Sequence, residues 1–339
     1  MTSRPPQRLS FFRSAARRLV RFAGAIGAGA ALVSSAAAAD GTVLRVGYFP
    51  NITHAQGVIG AHGTRTGHGW FEQRLGRDVT LQWYPFNAGP SAMEAIFAGS
   101  IDLTYVGPNP ALNAYIRSRG EEIRVLAGSA EGGAALVVPA KGPLASAADF
   151  KGRRIASPQL GNTQDVAARV WLKKNGYRVA LVGGDVPVVP TANPDQLALF
   201  QQGKIDAVWT VEPWVSRLEL EADGRLLVEQ RDAVTTVLAA SARLLRTRPE
   251  LAERFVAAHR ELTAWVSGHP EEAQALVRAG LSAEARREIP APLVARAWPR
   301  LNFTDRVTQA QFETLVAEAQ SVGFLRDAIP LDRMFPRQP

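Results

Sequence analysis

Along residues 43–211, apolar runs of strand length alternate with stretches of helical period, and the same order of elements occurs twice. VLRVGYF (43–49) has the length of a buried strand and is followed by the polar loop PNITHAQ (50–56). VTLQWYPF (79–86), rich in β-branched and aromatic residues, predicts a second strand. A helix starts at Pro90 and Ser91, with Ser91 as its cap and Met93, Ile96 and Phe97 on its apolar face. Gly99 stops it, and IDLTYVG (101–107) predicts a third strand. The second series runs RRIAS (153–157), loop PQLGNTQ (158–164) and helix DVAARVWLKKNG closed by Gly176. Strand VPVVPT (186–191), a helix from Pro194 and Asp195 closed by Gly203, and strand IDAVWTV (205–211) complete it.

The two series are related residue by residue. AGPSAMEAIFAGSIDLTY (88–105) and ANPDQLALFQQGKIDAVW (192–209) lie 104 positions apart and share Ala88/Ala192, Pro90/Pro194, Gly99/Gly203, Ile101/Ile205 and Asp102/Asp206. Alternating strands and helices predict parallel sheets with helices on their faces, so two such series predict an α/β fold of two similar lobes. The C-terminal part reads as mainly helical. Thr247 to Glu250 has the form of a capping box, and Leu251, Phe255, Leu262 and Trp265 keep a helical stripe. Pro270 begins another helix, and Thr308 with Gln311 begins a last one carrying Phe312, Leu315 and Val316. Packing of this part on the first lobe assigns residues 40–136 and 236–339 to lobe one and 137–235 to lobe two. Strands near 136–138 and 234–237 then form the hinge.

The first 39 residues stand apart. They carry six arginines and no acid, then an apolar run from Phe22 to Val33, then small residues ending in Ala37, Ala38 and Ala39. That is the pattern of a cleaved secretory signal peptide, with an apolar run too short to span a bilayer. It directs the chain to the periplasm. Without it the net charge falls from +8 to +2, and no concentrated basic face remains to suggest nucleic acid as a partner. The sequence contains no cysteine, which excludes disulfides and thiolate metal sites. About 300 residues remain, enough for two lobes of ordinary size, and a monomer is expected.

In open parallel sheets a ligand sits beyond the carboxyl ends of the strands, where helix N-termini offer free N–H groups and the positive end of a dipole to an anion. Four polar loops occupy such places: residues 50–56, 87–91, 161–164 and 191–195. They nominate Asn51, His54, Gln56, Ser91, Asn162, Thr163, Gln164 and Asn193 as donors, with Gly89 and Gly161 allowing close backbone approach. VGPNPA (106–111) and WTVEPW (209–214) follow the third strand of each series. Pro108 and Pro110 predict a rigid turn, Trp209 and Trp214 can wall the cleft, and Glu212 can meet a ligand ammonium or a cation across the hinge. Ser91 is expected to touch the anionic head of the ligand and Asp195 only to cap its helix. No nucleophile elbow, P-loop or dinucleotide glycine motif occurs. His54, His62 and His68 lack helical i, i+4 spacing and acidic company, so no metal and no cofactor are expected.

GYFPNITHAQ, FNAGPSAMEAIFAGSIDLTYVGPNPA, ASPQLGNTQDVAARVWLKKNG, TANPDQLALFQQGKIDAVWTVEPW and PELAERFVAAHRELTAWVSGHPEEA carry a resemblance over residues 44–325. They resemble the periplasmic solute-binding proteins of ABC importers for aliphatic sulfonates, taurine and nitrate. The resemblance implies a type II periplasmic-binding fold without enzymatic activity, which closes on a small solute and delivers it to a membrane permease powered by an ATPase. It implies that residues 51–56, Ser91, Asn109, 161–164 and 212–214 line the site. An aliphatic sulfonate is the first expectation; nitrate, a sulfate ester, a phosphonate or a pyrimidine stay open. A cofactor-synthesis enzyme on the same fold and a ligand-sensing module are the readings of another class. The chain departs from the pattern in two places: glycines in GAHGTRTGHGW interrupt the first helix, each costing up to about 1 kcal/mol in a helix interior, and the loop between RDAV and the following threonines is short.

Overall fold

The structure, a computed structural model, describes residues 42–327 and 329–336. The segment expected to be a signal peptide, 1–39, lies outside the described residues. Among the latter, eleven strands form two sheets. They are β1 (Thr42–Tyr48), β2 (Val79–Pro85), β3 (Leu103–Val106), β4 (Ile123–Gly132), β5 (Ala134–Pro139), β6 (Ile155–Ser157), β7 (Val188–Pro190), β8 (Ala207–Val211), β9 (Gly224–Gln230), β10 (Val234–Ser241) and β11 (Leu301–Phe303). One sheet has the order β11-β4-β10-β3-β1-β2 and the other β7-β6-β8-β5-β9. Both have three parallel strands in the order second, first, third; β10, β4 and β11 continue the first sheet and β5 and β9 the second, each antiparallel to its neighbour. The two sheets belong to one compact unit.

The repeated Gly-x-Ile-Asp turn does the same work in each sheet. Gly99 and Gly203 adopt φ of 67° and 64°, a left-handed conformation natural to glycine, and so end the preceding helices. Asp102 then takes the Arg45 N–H on its carboxylate at 2.9 Å and donates its own N–H to Arg45 O at 2.8 Å. Asp206 does likewise with Arg154, at 2.8 and 3.0 Å. Each aspartate clips the third strand to the first, which explains why these positions match across 104 residues.

The chain passes between the sheets at Gly133, between β4 and β5, and at residues 231–233, between β9 and β10. The segments 136–138 and 234–237 lie just beyond those crossings, in β5 and β10. The helices Pro249–Gly268 and Pro270–Ala285 bury Leu251, Phe255, Leu262 and Val277 against Leu44, Val46 and Leu103 of the first sheet. A fully buried side chain of this size contributes up to about 3 kcal/mol. The last helix, Gln309–Ser321, has its expected capping box of Thr308 and Gln311.

Several local expectations are corrected. The expected interruption of the first helix falls only at its end: the helix runs on through Gly57, Gly60 and Gly63 over Ala55–Thr66, then stops at Gly67, with φ of 74°, before a separate helix over Trp70–Leu75. Tertiary packing decides this, because a Cβ at Gly57 would collide with Tyr48 and Tyr105, and one at Gly60 with Trp83 and Phe71. Thr247 is the last residue of the short helix Ala242–Thr247 and forms no capping box; its hydroxyl donates to Arg243 O. Ser91 lies inside the helix Gly89–Phe97, whose cap is Ala88, and Asp195 lies inside Asn193–Gln201, capped by Ala192. Pro108 and Pro110 do not form a free turn but occupy the first turn of a helix, Pro108–Arg117, where a missing N–H costs nothing.

Candidate functional site

The carboxyl ends of the parallel strands of both sheets face one narrow cleft space. Phe49, Asn51, Thr53 and His54 follow β1; Asn87 and Gly89 follow β2; Gly107 and Pro110 follow β3. From the second sheet come Pro158, Asn162, Thr163 and Gln164 after β6, Asn193 after β7 and Val211 at the end of β8. Thr235, at the start of β10, closes the hinge side. Four helices begin at this space: Gly89–Phe97, Pro108–Arg117, Thr163–Lys174 and Asn193–Gln201. Their dipoles give it a positive potential without a formal charge, although Pro90, Pro108, Pro110 and Pro194 carry no N–H and the Asn193 N–H is taken by Asn87.

The two sides touch. Asn87 Nδ2 donates to Pro158 O at 3.4 Å, and the Asn193 N–H donates to Asn87 Oδ1 at 3.4 Å. Gly107 has no room for a Cβ because Thr163 Oγ1 from the opposite side lies against it. Two enclosed polar atoms at this seam, Thr163 Oγ1 and His54 Nδ1, have no partner in the protein. Such atoms are costly unless something fills the site.

The loop bearing Asn51 and His54 is held from the other lobe. Ile52 N–H donates to Glu212 O at 3.1 Å, and Trp214 Nε1 donates to Asn51 Oδ1 at 3.0 Å. The His54 ring stacks on Phe49, with centroids 4.2 Å apart. Burial pulls the His54 pKa down to about 3 and that of His259 down to about 4, so both are neutral at physiological pH. The unfolded chain takes up these protons below its ordinary histidine pKa of about 6.5. The native protein resists until the lower values, so stability is lost as pH falls from about 6.5 to about 4. Urea midpoints measured across that range should decline toward acid, and His54→Gln or His259→Gln should flatten the slope.

Of the residues nominated from sequence, Asn51, His54, Gly89, Asn162, Thr163, Gln164 and Asn193 converge on this space. Others lie elsewhere. Gln56 is a core group, its amide bonded to Ser129 O, Ser129 Oγ and Thr263 Oγ1. Trp209 packs in the second lobe's core beside Trp171, and its Nε1 donates to Gln230, so it does not wall the cleft. Trp214 is half-buried behind the cleft loop with Arg217 over its ring at 4.7 Å. Ser91 is exposed at the rim, exchanging hydrogen bonds with Gln159 across the cleft. Asn109 and Gly161 line a separate, smaller recess beside Val166 and Phe324.

Glu212 faces away from the space. Its buried carboxylate accepts from Ser216 N at 3.0 Å, Ser216 Oγ at 2.9 Å and Arg300 Nη1 at 2.7 Å. Arg300 belongs to the C-terminal segment, so this is the cation across the hinge; a second arm reaches Glu219 at 2.8 Å. Burial pushes the Glu212 pKa up against the pull of Arg300. Sequence reasoning passed over Phe49 and Thr235 as lining residues and covered Thr53 only within the range 51–56. Thr53 stood inside a nominated loop, but Thr235 comes from a strand whose approach to the cleft has no local signature.

Residues 37–281 match the NMT1-like family. The chain belongs to that family. The chain is similar to a protein of Escherichia coli (strain K12) named for binding aliphatic sulfonates, 27% identical over 200 residues, 58% of each chain. The taurine-binding periplasmic protein of the same organism is 29% identical over 151 residues, 44% of each chain. The chain thus matches about half the length of these curated relatives. The alkanesulfonate-binding protein SsuA of Xanthomonas axonopodis pv. citri, solved with bound MOPS, superposes with a TM-score of 0.72 at 21% identity. That superposition covers 88% of this chain and 99% of SsuA. The NMT1-like chain therefore has the two-lobed periplasmic-binding-protein fold.

Proposed function

We propose that this protein is the periplasmic solute-binding component of an ABC importer for a small organic oxyanion, an aliphatic sulfonate first among them. The supporting observation is the convergence of four helix N-termini from two sheets on one cleft space that no charged side chain lines. Free N–H groups suit the spread charge of an oxyanion and need no reorganisation to receive it. Asn51, His54 and Gly89 on one side and Asn162, Thr163, Gln164 and Asn193 on the other would hold the head. The names of the relatives point to the same ligand class.

In this reading residues 40–136 and 236–339 form one lobe, 137–235 the other, and the two close about the β4–β5 and β9–β10 crossings. The solute favours the closed form by its contacts with both sides. A monomer, exported by its N-terminal leader, would then pass the solute to the permease and its ATPase. Its role is binding without turnover. Calorimetry against alkanesulfonates, taurine, sulfate esters and nitrate should give a dissociation constant on the order of 1 μM or below for at least one sulfonate, with that ligand recovered unchanged. No binding by any of them would overturn the proposal.

A further inference from the structure

We infer that the solute carries an anionic head and no ammonium, so that the cleft accepts an alkanesulfonate and rejects the corresponding zwitterion. The inference rests on the reading of the cleft as an oxyanion site and concerns which oxyanions it admits. The deciding observation is the direction of the amide groups. Five carboxamides line the space, and every one of their oxygens already accepts a hydrogen bond from the protein. Asn51 Oδ1 accepts from Trp214, Asn87 Oδ1 from Asn193 N, and Asn162 Oδ1 from Asp165 N. Gln164 Oε1 accepts from Asn162, and Asn193 Oδ1 from Thr210 Oγ1. Each oxygen is oriented by the scaffold; Asn87 and Asn162 also place an amide N–H on Pro158 O and Gln164 Oε1, so the amide donors of Asn51, Gln164 and Asn193 are what the cleft has left to offer.

Charge leads to the same result. The buried carboxylates next in sequence to lining residues are Asp165 and Glu212, and both are saturated. Asp165 takes Ser157 Oγ, Gly161 N and the guanidinium of Arg169; Glu212 takes Ser216 and Arg300. Neither is free to meet an ammonium. His54 is neutral and enclosed. The four helix N-termini that attract an anion repel a cation by the same field. An ammonium shut inside would lose its water and gain no counter-charge, which costs far more than the hydrogen it replaces on the same carbon chain.

Ethanesulfonate and taurine have the same carbon chain and differ by the terminal ammonium, so titrating the leaderless protein with each by calorimetry tests the inference. Ethanesulfonate should bind at least about 100-fold more tightly than taurine. Taurine binding within about tenfold of ethanesulfonate, or more tightly, would overturn the inference and leave the oxyanion site standing. If neither sulfonate binds, and sulfate esters and nitrate are also inert, the site reading falls and the inference with it. Asn51→Asp supplies a second arm, because a carboxylate still accepts the Trp214 N–H and the side chain keeps its shape. It should weaken ethanesulfonate by at least about tenfold and narrow the ratio to taurine. An unchanged ratio in a variant with wild-type melting temperature would also overturn the inference.

Discussion

Replacing Arg300 with alanine should lower the stability of the protein by about 3 kcal/mol, read as a lower urea midpoint with an unchanged m-value. Its guanidinium donates to Glu212 at 2.7 Å, to Ser216 Oγ at 3.2 Å and to Glu219 at 2.8 Å. Glu212 is fully buried, so the substitution leaves an uncompensated carboxylate inside the protein. Arg300 itself keeps 16% of its side chain exposed, which holds the expected loss at the lower end for a buried pair. The effect should reach the ligand as well. The Glu212 peptide accepts the Ile52 N–H and donates to Gly133 O at 2.8 Å, tying the cleft loop to the chain crossing. Solute affinity should therefore fall by roughly tenfold or more. The double variant Arg300→Met, Glu212→Gln should regain more than half of the lost stability, because no charge is then stranded. A loss below about 1 kcal/mol for Arg300→Ala would show that burial keeps Glu212 protonated and that no ion pair exists.

Asp165→Ala should cost about 4 kcal/mol and abolish tight binding even where the protein remains folded. Asp165 and Arg169 are 0% and 1% exposed, paired at 3.2 Å one helical turn apart. The aspartate also takes the Gly161 N–H at 3.0 Å and the Ser157 hydroxyl at 2.9 Å, so it shapes the loop that delivers Asn162, Thr163 and Gln164. Denaturation and calorimetry on the same variant separate the two effects: solute binding at wild-type affinity would show that the loop holds its shape without it. The counterpart is Asp195→Ala. Asp195 is exposed and Ala192 caps its helix, so this change should stay within about 0.5 kcal/mol. Both aspartates sit in the first turn of a helix at the cleft, and only the buried one has a structural task.

Much of the arrangement was legible because it is local. Strand and helix order in each lobe follows from apolar period and glycine stops, and the Gly-x-Ile-Asp repeat predicted a shared unit that the matching aspartate clips confirm. The cleft loops were legible for the same reason: strand ends followed by small polar residues and a helix start form a sequential pattern. The missed elements are short or non-local. β11 has three residues, too few for a period, and exists because β4 offers it an edge. The continuity of the first helix through Gly57 and Gly60 comes from the rings packed on them, which no propensity contains.

The sequence by itself determined the class of the fold, the duplication, the places where strands end at helix starts, and hence the region of the site. These depend on neighbours along the chain. Only the tertiary structure decided which polar side chains turn inward and which serve the scaffold. Gln56 and Trp209 look like cleft residues in sequence and are core; Glu212 looks like a ligand partner and is satisfied by Arg300 from 88 residues away. The orientation of the cleft amides was set in the same way, by partners as distant as Trp214 and Asn193. The reason is physical: a buried polar group takes whatever partner the packing brings within about 3 Å, and that partner is fixed by the fold, not by sequence proximity.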